Sequence, residues 1–213
     1  MIIEEEKVMK TTTFLSICLI TSIILTGCGA GTPVNTATPA YTPTPPNTTT
    51  ADLTNVFLKP EDLPAGFHRF TNDEIKTLGI DLTSVLSRYG GGTNLVKTDI
   101  YGKNPQTEEF LFEGLFYPCS SDFIVATDKV FSNPEAFYPS NVKGISLLPN
   151  LSGIGNGSMG ITSIDQGTTS NILTFRRNNT LIALIEINKS ATSNFDLRAT
   201  GQKMDQYVLA EYK

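Results

Sequence analysis

Hydrophobic residues alternate most regularly in the middle of the chain, over residues 108–117, which read EEFLFEGLFY. Phe110, Phe112 and Phe116 recur there at even spacing. Successive side chains of a β-strand point to opposite faces of a sheet, so this spacing predicts a strand over 108–117. Similar short apolar runs predict strands at 95–101 and 158–164.

The second half of the chain contains the clearest predicted hairpin. Two apolar runs, 172–177 and 180–188, are separated by Asn178 and Asn179. Asparagine adopts a positive φ more readily than most residues, so these two positions suit a tight turn. The second run contains LIALIEI, which is apolar enough to predict a central strand.

Helical periodicity is strongest near the C-terminus, over residues 195–212, where apolar residues fall near one face. Ser193 or Asn194 is the expected N-terminal cap of this helix. Gly201 weakens the middle of the helix by about 1 kcal/mol. The missing side chain at that position would let the helix pack closely on a sheet.

Three other segments have helical or ambiguous patterns. Residues 71–88 read as helical turns, with an interruption at Gly79 and an end at glycines 90–92. Residues 123–131 fit either a third strand or a short helix. Asn133 and Pro134 introduce a short predicted helix over 135–138.

The predicted elements follow the order helix, strands, helix, strands and helix. Loops marked by proline or glycine separate them at 58–67 and 151–158. Because hairpins dominate this order, we expect an α+β fold with a mostly antiparallel sheet covered by helices.

An apolar run near the N-terminus, residues 14–25, is shorter than the roughly 18–20 residues that span a bilayer. It is followed by Leu-Thr-Gly-Cys, which ends at Cys28 and resembles a bacterial lipobox. We therefore predict a lipoprotein signal peptide over residues 1–27. Three consecutive glutamates are unsuited to the start of such a peptide, so translation is expected to begin at Met9.

The lipobox resemblance implies a lipid anchor on Cys28. In lipoproteins the thiolate accepts a diacylglyceryl group, a peptidase cuts before the cysteine, and the new amine can be acylated. One acyl chain holds a protein only marginally at a membrane, whereas two or three hold it firmly. We expect the protein on the extracytoplasmic face of the cell membrane or outer membrane.

Residues 28–51 begin with this cysteine and continue as a Thr- and Pro-rich segment without charge. Such a composition buries too little apolar surface to offset the entropy of ordering, so a disordered linker is predicted. Fully extended, it would reach about 70 Å at roughly 3.1 Å per residue. Residues 52–213 remain for a single globular α+β domain.

Composition excludes several classes of partner and site. Lys and Arg total 16 against 21 Asp and Glu, and no basic patch occurs, so nucleic acid is not an expected partner. His68 is the only histidine, which argues against a His/Cys metal site. No metal and no cofactor are predicted. Cys18 lies in the signal peptide and Cys28 is committed to lipid, so no disulfide is expected.

Two groups of residues could support catalysis. Cys119 and His68 are the residue types of a thiol–imidazole pair, although a buried, inert cysteine is the more common role of a free thiol. Glu108, Glu109 and Glu113 could supply paired carboxylates for acid–base chemistry. The alternative is that these charges lie on a solvated edge or face of their strand, where they would discourage aggregation.

Two further features could bind an anion. The glycine-rich stretch 153–160 could cradle a phosphate, but it lacks the lysine of a phosphate-binding loop, and a structural turn before a strand is preferred. Arg176 and Arg177 could bind an anionic ligand. Adjacent strand residues point to opposite faces, so at most one of them would line any given pocket.

Five Asn-X-Ser/Thr sequons could carry glycans in a host that glycosylates them. The chain is rich in asparagine and threonine, so the number alone says little. The sequons begin at Asn47, Asn150, Asn156, Asn178 and Asn188.

Three short motifs together resemble those of prokaryotic lipoproteins with a PsbP-like domain. They are Glu-Asp-Leu-Pro-Ala-Gly-Phe over 61–67, Ile-Gly-Asn-Gly-Ser over 154–158 and Thr-Phe-Arg-Arg-Asn-Asn over 174–179, with a closing helix. The resemblance implies a PsbP-like α/β/α sandwich and an extracytoplasmic location. It brings no catalytic residues to this chain.

Three hypotheses for function follow. The leading one is a lipid-anchored extracytoplasmic module that binds a small hydrophobic ligand or a membrane-protein partner without catalysis. The second is an envelope-associated hydrolase or thiol enzyme that uses Cys119 or the acidic strand. The third is a passive structural component of the cell envelope.

Overall fold

The computed structural model describes residues 51–79, 93–107, 109–138, 144–165, 167–189 and 193–212. The predicted signal peptide, Cys28, the linker up to residue 50 and the sequon at Asn47 lie outside these residues. Glu108 and residues 80–88 of the first predicted helix also lie outside them.

Within the described residues, seven strands form one sheet in the order β1-β2-β3-β7-β6-β5-β4, and every neighbouring pair is antiparallel. The predicted hairpin is β6–β7, in which Arg177 lies opposite Thr180 and Asn178 adopts φ 52° in the turn. β7 lies at the centre of the sheet, as its apolar sequence predicts. The strands are β1 His68–Arg69, β2 Thr93–Gly102, β3 Phe110–Cys119, β4 Ile145–Leu147, β5 Gly157–Asp165, β6 Thr168–Arg177 and β7 Thr180–Asn188.

Four α-helices accompany the sheet in the described residues, and they confirm the mixed α+β class. A capping box between Thr71 and Glu74 starts α1, and Gly79 ends it in the left-handed conformation at φ 68°. The ambiguous segment 123–131 is helical, within α2. The helices are α1 Asn72–Leu78, α2 Ser121–Ser132, α3 Pro134–Phe137 and α4 Leu197–Glu211.

The cap of α4 differs from the prediction. Asp196 is the cap, and its side chain accepts a hydrogen bond from the Ala199 amide at 3.0 Å. Ser193 and Asn194, the predicted caps, instead donate to the Glu186 carboxylate of β7 at 2.6 and 2.8 Å. The prediction was wrong because the buried Glu186 carboxylate of the preceding strand accepts hydrogen bonds from these two residues.

The two faces of the sheet are covered by different elements. The face that we call the α4 face packs against α4 and the first described residues, with Leu111, Leu173 and Met204 fully buried among its core residues. The opposite face, called the α2 face, packs against α1, α2 and α3, with Ile161 and Ile172 in its core. Because both faces are covered, the central strands are buried on both sides.

Consecutive arginines of β6 connect the sheet to a helix on each face. Arg176 points to the α2 face, where its Nε and Nη2 bond the two carboxylate oxygens of Asp128 in α2 at 2.8 and 2.7 Å. Arg177 points to the α4 face and makes a similar two-pronged ion pair with Asp205 of α4. The expectation that these two arginines face opposite sides is confirmed.

Gly201 lies where α4 packs against β6. A methyl group added to Gly201 would meet Leu173 Cδ2 at 2.4 Å, which is too close for two carbon atoms. The close approach expected from the sequence at this glycine is therefore present.

We expect Gly201→Ala to lower the free energy of unfolding by about 1–3 kcal/mol, because overpacking outweighs the gain in helix propensity. Urea denaturation measures this change. Gln206→Ala, at an exposed position of the same helix, is the control and is expected to change stability by less than about 0.5 kcal/mol. Stabilisation of the Gly201→Ala protein would contradict the packing described for α4.

Candidate functional site

A cleft of about 410 Å³ lies beside the end of the short edge strand β4. Its walls are formed by apolar side chains and by backbone of the glycine-rich segment. None of its thirteen lining residues is charged. The lining residues are Pro134, Leu147, Leu148, Leu151, Ser152, Gly153, Ile154, Gly155, Asn156, Gly157, Ser158, Met159 and Gly160.

Glycine is required where the cleft loop turns. Gly155 has φ 63°, and a Cβ at this position would lie 2.3 Å from the backbone oxygen of Arg176. Gly153 also has a positive φ, of 85°. Only glycine adopts such angles without strain and lets another backbone approach so closely. The glycines therefore shape the loop against the end of β6.

Three hydrogen bonds hold this loop. The Gly155 amide donates to Asp205 of α4 at 3.0 Å, and the Asn156 amide donates to the Arg176 carbonyl at 2.6 Å. The side-chain oxygen of Asn156 accepts from the Asn178 amide at 2.7 Å. Two loop amides that a phosphate would need are thus already engaged, and a structural turn is the better interpretation of this segment.

Helix α4 brings the three short sequence motifs together. Asp205 accepts from Gly155 of the second motif and from Arg177 of the third. Asp62 of the first motif pairs with Lys203 and accepts from the Tyr207 hydroxyl at 2.8 Å. The motifs are therefore positions that seat one helix on the sheet, and they do not converge on a reactive group.

A second polar cluster lies on the α4 face beneath residues 51–58. Glu113 of β3 is completely buried, and its Oε2 accepts from the Tyr101 hydroxyl at 2.8 Å and from the Leu58 amide at 3.4 Å. Asp99 of β2 is its direct cross-strand neighbour and pairs with Arg69. The sequence interpretation of Glu113 as a solvated charge was wrong, because β3 is covered on both faces.

Burial changes the acid–base chemistry of this cluster. Removal from water raises the pKa of Glu113 to about 8, with Asp99 adding to the effect and the hydrogen bonds from Tyr101 and Leu58 opposing it. Burial likewise raises the pKa of Asp99, against the charge of Arg69. Sequence alternation places residues 99 and 101 on one face of β2, but it does not show that residue 113 of β3 shares that face or that residues 51–58 cover it.

The structure separates the proposed thiol–imidazole pair. His68 pairs in register with Gly102, which pairs with Phe110 at the start of β3, whereas Cys119 ends that strand. Nine residues of strand correspond to about 30 Å. His68 instead lies 2.9 Å from Glu74, so Cys119 and His68 do not act together.

Cys119 itself is an inert thiol. It is buried, its Sγ lies 3.6 Å from the Phe116 carbonyl oxygen, and burial raises its pKa to about 12. A thiol of that pKa forms almost no thiolate at neutral pH, and the thiolate is the nucleophile.

The remaining candidates are the two arginines proposed to bind an anion and Glu109, proposed for acid–base chemistry. Both arginines are held in ion pairs with Asp128 and Asp205, so neither is free to bind an anion. Glu109 is half-buried just before β3, away from the position of Glu113. In the part of the chain that the structure describes, no group of three His, Cys, Asp or Glu residues is placed to hold a metal ion.

The structure distinguishes among the sequons. Asn188 is completely buried on β7, and Asn156 uses its side-chain oxygen to hold the hairpin turn. Asn178 sits within that turn, half-buried. Asn150 is exposed and leads into the cleft loop.

We expect Cys119 to react with 5,5′-dithiobis(2-nitrobenzoate) more than about 100-fold more slowly in the folded protein than in urea, because the thiol is buried and protonated. Mass spectrometry of the Cys119-containing peptide separates this reaction from those of Cys18 and Cys28. Labelling of Cys119 at the same rate in both conditions would restore the thiol-enzyme hypothesis.

Comparison with known proteins yields no match to a family model, to a curated protein or to a solved structure. The PsbP-like resemblance therefore stays a prediction. No described helix is both long enough and apolar enough to cross a membrane.

Proposed function

We propose that this chain is an extracytoplasmic lipoprotein that is anchored through lipid on Cys28 and binds a small uncharged ligand without catalysis. Support for the anchor comes from the apolar run 14–25 and the Leu-Thr-Gly-Cys sequence. A PsbP-like α/β/α arrangement is consistent with helices on both faces of the sheet. The folded part would serve as a binding or accessory module at the membrane.

The observation that carries the binding function is the cleft of about 410 Å³ beside β4. Small-molecule sites are typically concave, largely apolar and of a few hundred Å³. The side chains of Leu147, Leu148, Leu151 and Met159 provide the apolar wall. Ser152 and Asn156 provide polar groups at the cleft without introducing charge, which favours an uncharged ligand.

The enzymatic alternative has weaker support. Cys119 is buried and lies far from His68. Glu113 has an acid–base character suited to proton transfer, but its side chain is completely covered by the chain above it. Glu113 is not among the residues that line the cleft, so the cleft supports binding rather than hydrolysis.

We expect Cys28→Ser to abolish acylation and, because cleavage follows acylation, to leave the signal peptide uncut, whereas the acylated wild-type chain enters the detergent phase in Triton X-114 partitioning. The physical reason is that attached acyl chains contribute about 0.8 kcal/mol per buried CH₂. Expression in a bacterial host that processes lipoproteins, followed by intact-mass analysis, measures the modification.

Cys18→Ser is the control for the anchor, because it removes a thiol from the same predicted signal peptide and leaves Cys28 in place. It is expected to remain acylated. Wild-type protein that is unacylated, or that begins upstream of Cys28, would refute the anchor.

We expect the apolar dye 1-N-phenylnaphthylamine to bind in the cleft and fluoresce, and Ser152→Trp to weaken its affinity at least about tenfold by filling the space. Ser152 is an exposed lining residue. Ser146→Trp is the matched control, since Ser146 is an exposed residue of β4 that does not line the cleft. Equal binding by both variants, or no binding by wild type, would contradict the assigned site.

A further inference from the structure

The first described residues, 51–58, lie across β2 and β3 on the α4 face, and we call them the strap. Leu53, Val56 and Leu58 of the strap are each no more than 5 % exposed. They belong to the same apolar core as Leu111 and Leu115 of β3. The strap therefore covers a part of the sheet that α4 does not cover alone.

Polar contacts fix both ends of the strap to the sheet. At one end the Ala51 amide donates to the Tyr117 hydroxyl at 3.3 Å. In the middle, Lys97 Nζ donates to the Thr54 carbonyl at 3.3 Å and lies 4.0 Å from the centre of the Phe57 ring. These contacts are partly exposed to solvent and contribute little individually.

At the other end the contacts are buried. The Leu58 amide donates to Glu113 Oε2 at 3.4 Å, and the Tyr101 hydroxyl lies 3.4 Å from the Leu58 carbonyl and 2.8 Å from Glu113 Oε2. Both backbone polar groups of Leu58 thus depend on a single carboxyl–phenol pair. Leaving such groups unpaired in a buried place destabilises the closed strap.

Glu113 is poorly equipped to hold a negative charge. Its side chain is completely buried, and Oε1 has no hydrogen-bond partner among the described residues. The carboxylate of Asp99 lies on the neighbouring position of β2, and like charges at such cross-strand sites repel. The protonated carboxyl is neutral and avoids both the desolvation cost and this repulsion.

Other charged groups around this site are already paired. They lie on the described elements around Glu113; no salt bridge within the described residues joins any of them to its carboxyl group, although the charge of Lys97 lowers the pKa of Glu113. They are Arg69 of β1 with Asp99, Lys97 of β2 with the strap, Glu186 of β7 with Asn171 and Ser193, Asp52 with Thr54, and Lys59 over the ring of Tyr207.

The direction of the pH effect follows from the raised pKa of Glu113. The folded protein holds this proton more tightly than the unfolded chain, in which the ordinary pKa is 4.5. Stability from this group is therefore complete below pH 4.5 and is lost as the pH rises through about 8. Deprotonation places a buried negative charge directly under Leu58 of the strap.

We propose that the strap is a proton-controlled latch, held on the sheet by protonated Glu113 and released, with the sheet still folded, when that proton is lost. Release would expose Leu53, Val56 and Leu58. The latch does not depend on the lipid anchor or on the cleft ligand, because its contacts all lie within residues 51–117.

Hydrogen exchange followed by mass spectrometry tests the latch on the full chain in detergent. Protection of the peptide containing 51–58, normalised to its intrinsic exchange rate, is expected to fall at least about tenfold between about pH 6.5 and about pH 9.5. β7, residues 180–188, is expected to stay more strongly protected than the strap at both pH values, because β7 opens only with the whole fold. Equal protection of the two segments at high pH would mean global unfolding and would overturn the proposal.

Glu113→Gln keeps the shape of the side chain and removes its titration. This variant is expected to show the same strap protection at both pH values. Glu109→Gln is the matched control, since it removes a carboxylate just before the same strand but away from Glu113, and it should retain the tenfold fall. If Glu113→Gln keeps the wild-type pH dependence, Glu113 is not the switch.

Two further variants keep the test informative if Glu113→Gln folds poorly. Asp99→Asn removes the repelling neighbour and should move the opening to lower pH, because loss of that charge lowers the pKa of Glu113. Tyr101→Phe removes the hydroxyl that lies beside both Glu113 and the Leu58 carbonyl, and it should lower strap protection already at about pH 6.5. A shift of the Asp99→Asn opening to higher pH would overturn the assignment, and so would unchanged strap protection in Tyr101→Phe.

Discussion

The structure depends on two neighbouring arginines at the end of β6. Arg176 and Arg177 point to opposite faces of the sheet, and each makes a two-pronged ion pair with an aspartate of a covering helix. Burying ions is costly, and such pairs persist only where good geometry and further hydrogen bonds compensate. Arg176 meets this condition with an additional bond from Nη1 to the Asn178 carbonyl at 2.6 Å.

The same ion pairs position the cleft. The Asp205 carboxylate accepts hydrogen bonds from both the Arg177 guanidinium and the Gly155 amide. One carboxylate therefore attaches α4 to the sheet and also holds the cleft loop. The Arg176 carbonyl also receives the Asn156 amide. The cleft wall is therefore connected to both helices through a few atoms at the end of one strand.

Two buried glutamates on the α4 face, Glu186 and Glu113, differ in how many hydrogen bonds their carboxyl groups accept, and this difference decides the role of each. Glu186 accepts hydrogen bonds on both oxygens, from Asn171, Ser193 and the amides of 194 and 195, and so secures the chain entering α4. Glu113 has donors only on Oε2. Glu186, which is bonded on both oxygens, holds the chain before α4 in place. Glu113, which is bonded on one oxygen, makes the strap that covers it sensitive to pH.

Local sequence determined much of the element order. The even spacing of Phe110, Phe112 and Phe116, the Asn178-Asn179 turn and the glycine at 201 all predict features that the structure contains, because strand alternation, turn chemistry and close helix packing are local consequences of residue type. The Leu-Thr-Gly-Cys sequence that ends at Cys28, and the lipid anchor predicted from it, likewise rest on sequence alone.

Only the tertiary structure determined which polar residues are buried and which partners they have. Glu113 lies beneath a segment 55 residues earlier in the chain, and Asp205 meets Arg177 and Gly155 from 28 and 50 residues away. Whether a carboxylate is solvated, paired or protonated depends on which distant elements cover it. Alternation within one strand gives the face on which a side chain lies, but it carries no information about what packs on that face.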